Sequence, residues 1–176
     1  MSGLQNAQQR PMGDESAQQQ TESQMASFGR LSMLASYCPM LASYCPLHKQ
    51  FPVQALSHLF IPAINNDTIR FFTNDDGQVC AALIWARLSD EVSQRMIYDQ
   101  VPPTEKDWTS GTNLWFLDIL APFGHGKMVA RHIARTPPEG PFYFARLGKG
   151  GRTRKVVRSD SSVRKNRVHS FHLDTE

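Results

Sequence analysis

The sequence predicts an α/β or α+β protein in which a mixed β-sheet is flanked by helices. Two patterns carry that expectation. Residues 69–73 and 78–87 are apolar, β-branched and aromatic runs separated by Asn74, Asp75, Asp76 and Gly77, which have the composition of a hairpin turn. Residues 114–121 are apolar except for Asp118 and read as a buried strand, which passes through Pro122, Phe123, Gly124, His125 and Gly126 into a helix over about 127–135. Strands interleaved with helices in this way build a sheet with helices packed on it.

The elements follow in chain order. Residues 1–26 are rich in Gln and Ser and poor in aliphatics, so they read as a disordered leader; a single domain is expected over 27–176, with order beginning near Phe28. A tandem repeat comes next: residues 33–39 (Met, Leu, Ala, Ser, Tyr, Cys, Pro) recur unchanged as 40–46. One perfect copy is a local duplication rather than a solenoid. Seven residues are nearly two helical turns, but Pro39 is expected to kink or end a helix there. Residues 53–60 suit a short helix that ends before Pro62. Residues 78–87 are apolar enough for a strand central in the sheet. Ser89 reads as a helix cap, with Asp90 and Glu91 in the first turn, for a helix running to Asp99 before Pro102 and Pro103. Residues 142–147 form a fourth strand, and 153–159 and 168–173 are weaker strand candidates.

Composition limits the function classes. A chain of 176 residues with 40% hydrophobic and 20% charged residues suits one soluble domain. No run approaches the roughly 18 apolar residues of a membrane span. Residues 1–24 are polar where a signal peptide needs an apolar segment, so a cytoplasmic location is expected. Cys38, Cys45 and Cys80 form no CxxC pair, which argues against a disulfide framework or a zinc site. His169 and His172 form an HxxH without accompanying ligands, and no metal role is assigned to them. The net charge of +3 conceals nine basic residues against one acid from Arg146 to Arg167. Such a cluster attracts a polyanion, be it nucleic acid, anionic lipid or an acidic protein.

Asp118 is the first residue that demands an explanation, because an unpaired carboxylate inside an apolar strand is costly. A structural arginine, water at a sheet edge, or a histidine that it orients would each satisfy it. Of the six histidines, His48, between Pro46 and Pro52, and His125, in the glycine turn, are the better placed. Gly124, His125, Gly126 and Lys127 link a strand to a helix, where bare backbone N–H groups and the helix dipole favour an anion. Acetyltransferases of the GNAT type hold a pantetheine phosphate at such a junction.

Two segments together resemble a known family. Cys45, Pro46, Leu47, His48, then Phe51, Pro52 and Val53, and Pro62 to Ile64, resemble the N-terminal motif of the RTX toxin-activating lysine acyltransferases, the hemolysin-activator type. Residues 107–111 (Asp, Trp, Thr, Ser, Gly) and 115–124 resemble its second motif. The likeness runs from about Phe28 to Arg146, and within the family it points toward activators encoded beside the very large multifunctional RTX toxins. The resemblance implies a GNAT-like fold and a phosphopantetheine thioester donor, acyl-acyl carrier protein, with no tightly bound cofactor. It implies internal lysines of an RTX protoxin as acceptors. It places the essential histidine on His48, the essential aspartate on Asp118 and an arginine on Arg146; the glycine turn, Gly124 to Lys127, would hold the donor's arm. Cys45 stands where the family has serine, which leaves a supporting hydrogen bond from a thiol. The duplicated heptad directly before it is a second departure, and the C-terminal region is shorter than usual.

Lysine has an ordinary pKa near 10.4, so it must lose a proton before it attacks a thioester. His48 as general base, steadied by Asp118, is the expected chemistry, with an acyl-histidine as an open alternative. Acyl carrier proteins are acidic, which suits the basic cluster. A nucleic-acid-binding module explains that cluster but leaves Asp118 and the glycine turn idle; a thioesterase of the same fold would use water as acceptor. Homodimerisation is left open.

Overall fold

The computed structural model describes residues 29, 32–33, 36–147, 153–160, 162–163 and 168–172. The leader expected over 1–26, the start of order near Phe28, and five of the nine basic residues (Lys149, Arg152, Arg164, Lys165 and Arg167) lie outside them. Among the described residues a sheet of six strands runs in sequence order: β1 (Ile69–Thr73), β2 (Val79–Leu88), β3 (Asn113–Leu120), β4 (Pro141–Leu147), β5 (Thr153–Asp160) and β6 (Val168–His172). All neighbours are antiparallel except β3 and β4, which are parallel. The mixed, GNAT-like α+β class expected from the sequence is the class observed.

Local chemistry sets the boundaries. Asn74 Oδ1 accepts the backbone N–H of Asp76 at 3.1 Å and of Gln78 at 2.9 Å, closing the β1–β2 turn, and Gly77 adopts the φ of +77° that a side chain resists. β2 lies between β1 and β3 and is buried at nearly every position, as its apolar run implies. Ser89 caps α3 (Asp90–Tyr98) by accepting the Val92 N–H at 3.2 Å. On one face of the sheet, α3, the helical residues 36–44 (α1) and α2 (Val53–Asn65) enclose a core containing Cys38, Leu41, Phe60, Ile84, Trp108, Trp115 and Leu120. On the other face, α4 (Gly126–Arg135) lays Val129 on Phe72, Ala81 and Leu83.

Two prolines behave differently from the sequence expectation. The helix expected over 53–60 does not stop before Pro62 but continues to Asn65, with Pro62 inside it. A proline there forfeits one hydrogen bond, at a cost of roughly 3 kcal/mol. Burial of Phe60, Ala63 and Ile64 offsets that loss, Phe60 and Ile64 each contributing about 1.5–3 kcal/mol and the Ala63 methyl less. Asn66 then closes the helix, bonding Pro62 O through both its backbone N–H at 3.0 Å and its Nδ2 at 2.8 Å. Pro39 likewise lies within helical residues 36–44, its ring exposed, and does not end α1. The second heptad is thus absorbed as helix, and its Leu41 and Ala42 fill the core beside Cys38 of the first.

The segment 107–111 fastens the β2–α3 corner. Asp107 forms a capping box with Thr104 and binds Arg95 of α3 at 2.5 Å. Trp108 is buried and its indole N–H donates to Thr68 Oγ1 at 2.6 Å. A Cβ on Gly111 would stand 2.5 Å from the carbonyl oxygen of Leu88 and from Cα of Ser89, both backbone atoms with no room to yield. Gly111→Ala is therefore expected to cost about 1–3 kcal/mol, read as a lower urea midpoint at unchanged slope. An unaltered midpoint would show that this corner is not tightly packed.

Candidate active site

Residues 45–52 form an irregular link between α1 and α2. Cys45 ends α1, its N–H bonding Leu41 O at 3.2 Å and Ala42 O at 3.1 Å; a 3-10 turn follows over His48–Gln50; and Pro52, with φ −63° and ψ 149°, redirects the chain into α2. The turn presses the His48 ring inward, leaving the residue 3% exposed, while Phe51 packs edge-on against it with ring centroids 5.7 Å apart.

Asp118 reaches the same place because β3 carries an extra residue. Ile84 of β2 faces Asp118 and the next residue, Trp85, faces Phe116, so Leu117 has no partner in the register. Strict alternation would put Asp118 on the face of Phe116, under α4. The bulge reverses the phase, and Asp118 shares the face of Ile84, where α1 and α2 pack.

There His48 Nε2 lies 2.5 Å from Asp118 Oδ2, across 70 residues of sequence, and His48 Nδ1 lies 2.9 Å from Cys45 Sγ. Asp118 Oδ1 accepts the Ile119 N–H at 2.7 Å, which holds the carboxylate. Burial opposes charge on His48, but the hydrogen bond and the negative charge of Asp118, with a smaller contribution from Cys45, raise its pKa from 6.5 to about 9. The ring is protonated at neutral pH and donates from both nitrogens. Burial likewise opposes ionisation of Cys45; the His48 side chain and the backbone N–H groups of His48 and Leu47 outweigh it and hold the thiol below its ordinary value. The other two thiols go the opposite way: burial pushes Cys38 up to about 12 and raises Cys80.

The glycine turn adjoins this cluster. Phe123 of the turn meets Tyr44, the residue before Cys45, with ring centroids 5.5 Å apart. Gly124 has φ +84° and no atom within 4 Å of a notional Cβ, so the turn is open there. His125 precedes α4 without a capping side-chain bond, its carbonyl accepts from Met128 and Val129, and its Nδ1 is buried with no partner among the described residues. Gly126 begins the helix and Lys127 is exposed beside it. Beyond Phe116 and Phe144 the parallel strands β3 and β4 stop pairing, so Asp118 and Arg146 lie two residues past the last rung on separating strands. Arg146 is exposed and faces Lys155 of β5 in register.

The structure therefore joins Cys45 and Asp118 through His48, while the Tyr44–Phe123 ring contact links the glycine turn to the residue before Cys45; Arg146 makes no described contact with the three. What the sequence did not reveal is an exposed apolar rim around them: Tyr44, Leu47, Phe51, Val53 and Phe123. Its signal was present in the large apolar residues crowded about Pro46, Pro52 and Pro122, a pattern that rarely survives on a surface without use. A separate cavity of about 280 Å³ lies beneath α3, at the opposite end of β3, lined by Gln94, Trp115, Tyr143 and Phe171 among others. None of the predicted site residues lines it, and the chemistry is read from the Cys45–His48–Asp118 cluster. Among the described residues no helix is long and apolar enough to cross a membrane.

The model of the RTX toxin acyltransferase family matches residues 21–171, farther in both directions than the motifs quoted above. A leukotoxin-activating lysine-acyltransferase, LktC, from a Pasteurella haemolytica-like species (strain 5943B) is 32% identical over 111 residues, 63% of this chain and 67% of that one. The protein-lysine myristoyltransferase RtxC of Kingella kingae is 32% identical over 110 residues, 62% of this chain and 65% of its own. The protein-lysine myristoyltransferase HlyC of Escherichia coli is 30% identical over 126 residues, 72% and 66% of the two chains. The matched segment spans about two thirds of the length of these relatives.

Proposed function

Because the chain belongs to the RTX toxin acyltransferase family, we propose that it moves a fatty acyl chain from acyl-acyl carrier protein to internal lysines of an RTX protoxin, in the cytoplasm, with His48 and Asp118 as its proton-transfer pair. The contact of His48 Nε2 with Asp118 Oδ2 carries this reading. Neither residue has a structural need for the other that an apolar pair would not meet more cheaply, since burying an ion pair costs several kcal/mol of desolvation per ion.

Acyl transfer from a thioester to an amine has two proton problems. The departing pantetheine thiolate gains a proton and the attacking amine loses one. His48 holds a proton at neutral pH, next to a carboxylate that keeps it there, so it enters the reaction as the acid and leaves the first half as the base. The open turn at Gly124 and the start of α4 suit the phosphate of the pantetheine arm, since the free N–H groups and dipole of a helix N-terminus favour an anion. The Nδ1 of His125, without a partner among the described residues, is a further polar group available there. The apolar rim suits an acyl chain or an apolar stretch of acceptor protein. Arg146, Arg154, Lys155 and Arg158 lie on β4 and β5, where a basic surface would meet an acidic carrier protein. A nucleic-acid-binding role gives the His48–Asp118 pair nothing to do.

Incubation of the purified protein with myristoyl-acyl carrier protein and an RTX protoxin tests this. Mass spectrometry of the protoxin is expected to show acylated lysines that are absent when either component is omitted. Release of free fatty acid without lysine acylation would mean that water is the acceptor and the protein a thioesterase.

A further inference from the structure

Cys45 has more to do than support His48. Three observations single it out from the other two thiols. Its Sγ lies 2.9 Å from His48 Nδ1, whose ring is held on the far side by Asp118, so the three residues form a Cys–His–Asp chain. It is partly exposed, whereas Cys38 and Cys80 are buried. It also adjoins the exposed Tyr44 and Leu47 of the apolar rim, where a fatty acyl group would lie. His48, by contrast, is 3% exposed beneath Phe51 and has both ring nitrogens engaged. The thiol is the more accessible of the two groups to a donor carbonyl.

We propose that Cys45 is the nucleophile of this enzyme and carries the acyl chain as a thioester between donor and acceptor; the inference rests on the acyl-transfer reading given above. In the first half-reaction the Cys45 thiolate attacks the donor carbonyl. The Sγ–carbon bond forms, the pantetheine sulfur–carbon bond breaks, and the departing thiolate takes the Nδ1 proton of the His48 imidazolium. Neutral His48 keeps its Nε2 proton on Asp118. In the second half a neutral lysine amine attacks the Cys45 thioester, gives a proton to Nδ1, and expels the Cys45 thiolate, which restores the starting ion pair. One thioester and one amine become one amide and one thiol, with no outside oxidant or co-reactant. The lowered pKa of Cys45 agrees with this geometry, since a nucleophilic cysteine is usually activated by a neighbouring imidazolium that lowers its pKa. A side chain that only bonded His48 would not need the exposure.

The experiment is an acid-quenched single turnover of the full chain with myristoyl-acyl carrier protein, before and after addition of protoxin, read by intact-protein mass spectrometry. One acyl chain per enzyme is expected, located on Cys45, removed by neutral hydroxylamine, and transferred to lysine when protoxin is added after the donor has been removed. Cys45→Ser keeps the shape of the site and is expected to lose the hydroxylamine-sensitive adduct. Cys45→Ala is expected to lower lysine acylation by on the order of 10²-fold or more. Persistence of the labile adduct in Cys45→Ser, or lysine acylation in Cys45→Ala within tenfold of the parent, overturns the proposal while leaving the lysine acyltransferase reading intact. An adduct on Cys45 that never reaches a lysine has the opposite meaning: the nucleophile stands and the acceptor assignment fails.

Discussion

His48→Ala is expected to lower acyl transfer by at least about 10³-fold, from the loss of both proton-transfer steps at once. Among the described residues the imidazole is the one side chain bonded to both the Cys45 thiol and the Asp118 carboxylate. Without it, the leaving sulfur loses its acid, the amine loses its base, and the thiol loses the imidazolium that holds its pKa below the ordinary value. The same substitution strips Asp118, whose side chain is only 22% exposed, of its cationic partner. A stability loss of about 1–3 kcal/mol accompanies this, because a half-buried carboxylate is left with fewer bonds. Activity is therefore measured on folded protein, verified by circular dichroism and a thermal midpoint. His58→Ala, on the exposed side of α2, serves as a matched control expected to behave as the parent. An alanine variant at position 48 that folds and retains a tenth of the parent rate would remove His48 from the chemistry.

The duplicated heptad shows how far sequence reaches in this protein and where it stops. Cys38 and Cys45 occupy the same position in identical seven-residue copies. One thiol is buried in the core, its pKa pushed up to about 12; the other ends the helix beside an imidazole and is held low. No local pattern separates them, because the difference is made by His48 and by the way α1 ends. The strands were legible for the opposite reason. The apolar run of β2 and the Asn74–Gly77 turn are decided within a few residues, so sequence places them to within a residue or so of the observed ends. Ser89 is legible in the same way, as a cap that needs only its own helix. Asp118 was legible as an anomaly, but its face was not. Period-two alternation assigns it to the side of Phe116, and only the pairing of β3 with β2 reveals the extra residue that turns it toward His48. Pro39 and Pro62 misled for a related reason. Proline's cost is local, whereas the burial that outweighs it comes from the whole packed face.

Asp118→Asn separates a carboxylate that positions and charges the histidine from one that merely fills space. The amide has nearly the same shape but can present an N–H to His48 Nε2. That fixes the remaining ring proton on Nδ1, the tautomer that cannot accept a proton from sulfur or amine. The negative charge that keeps His48 protonated is lost as well, so its pKa should fall from about 9 toward or below the ordinary 6.5, with burial now unopposed. Two readouts follow. Acyl transfer is expected to drop by on the order of 10²- to 10⁴-fold at neutral pH, and the His48 ring, followed by NMR, is expected to titrate well below its position in the parent. The linkage to stability has a definite sign. A pKa raised from 6.5 to about 9 on folding means that the pair's contribution is full below about 6.5, declines above it, and is gone once the pH has risen past about 9. The parent should thus lose more thermal stability than Asp118→Asn over that interval, and the two should converge at its upper end. A variant that keeps the parent's rate and the parent's His48 titration would show that the carboxylate neither orients nor charges the ring, and the proton-transfer role given to His48 would lose its physical basis.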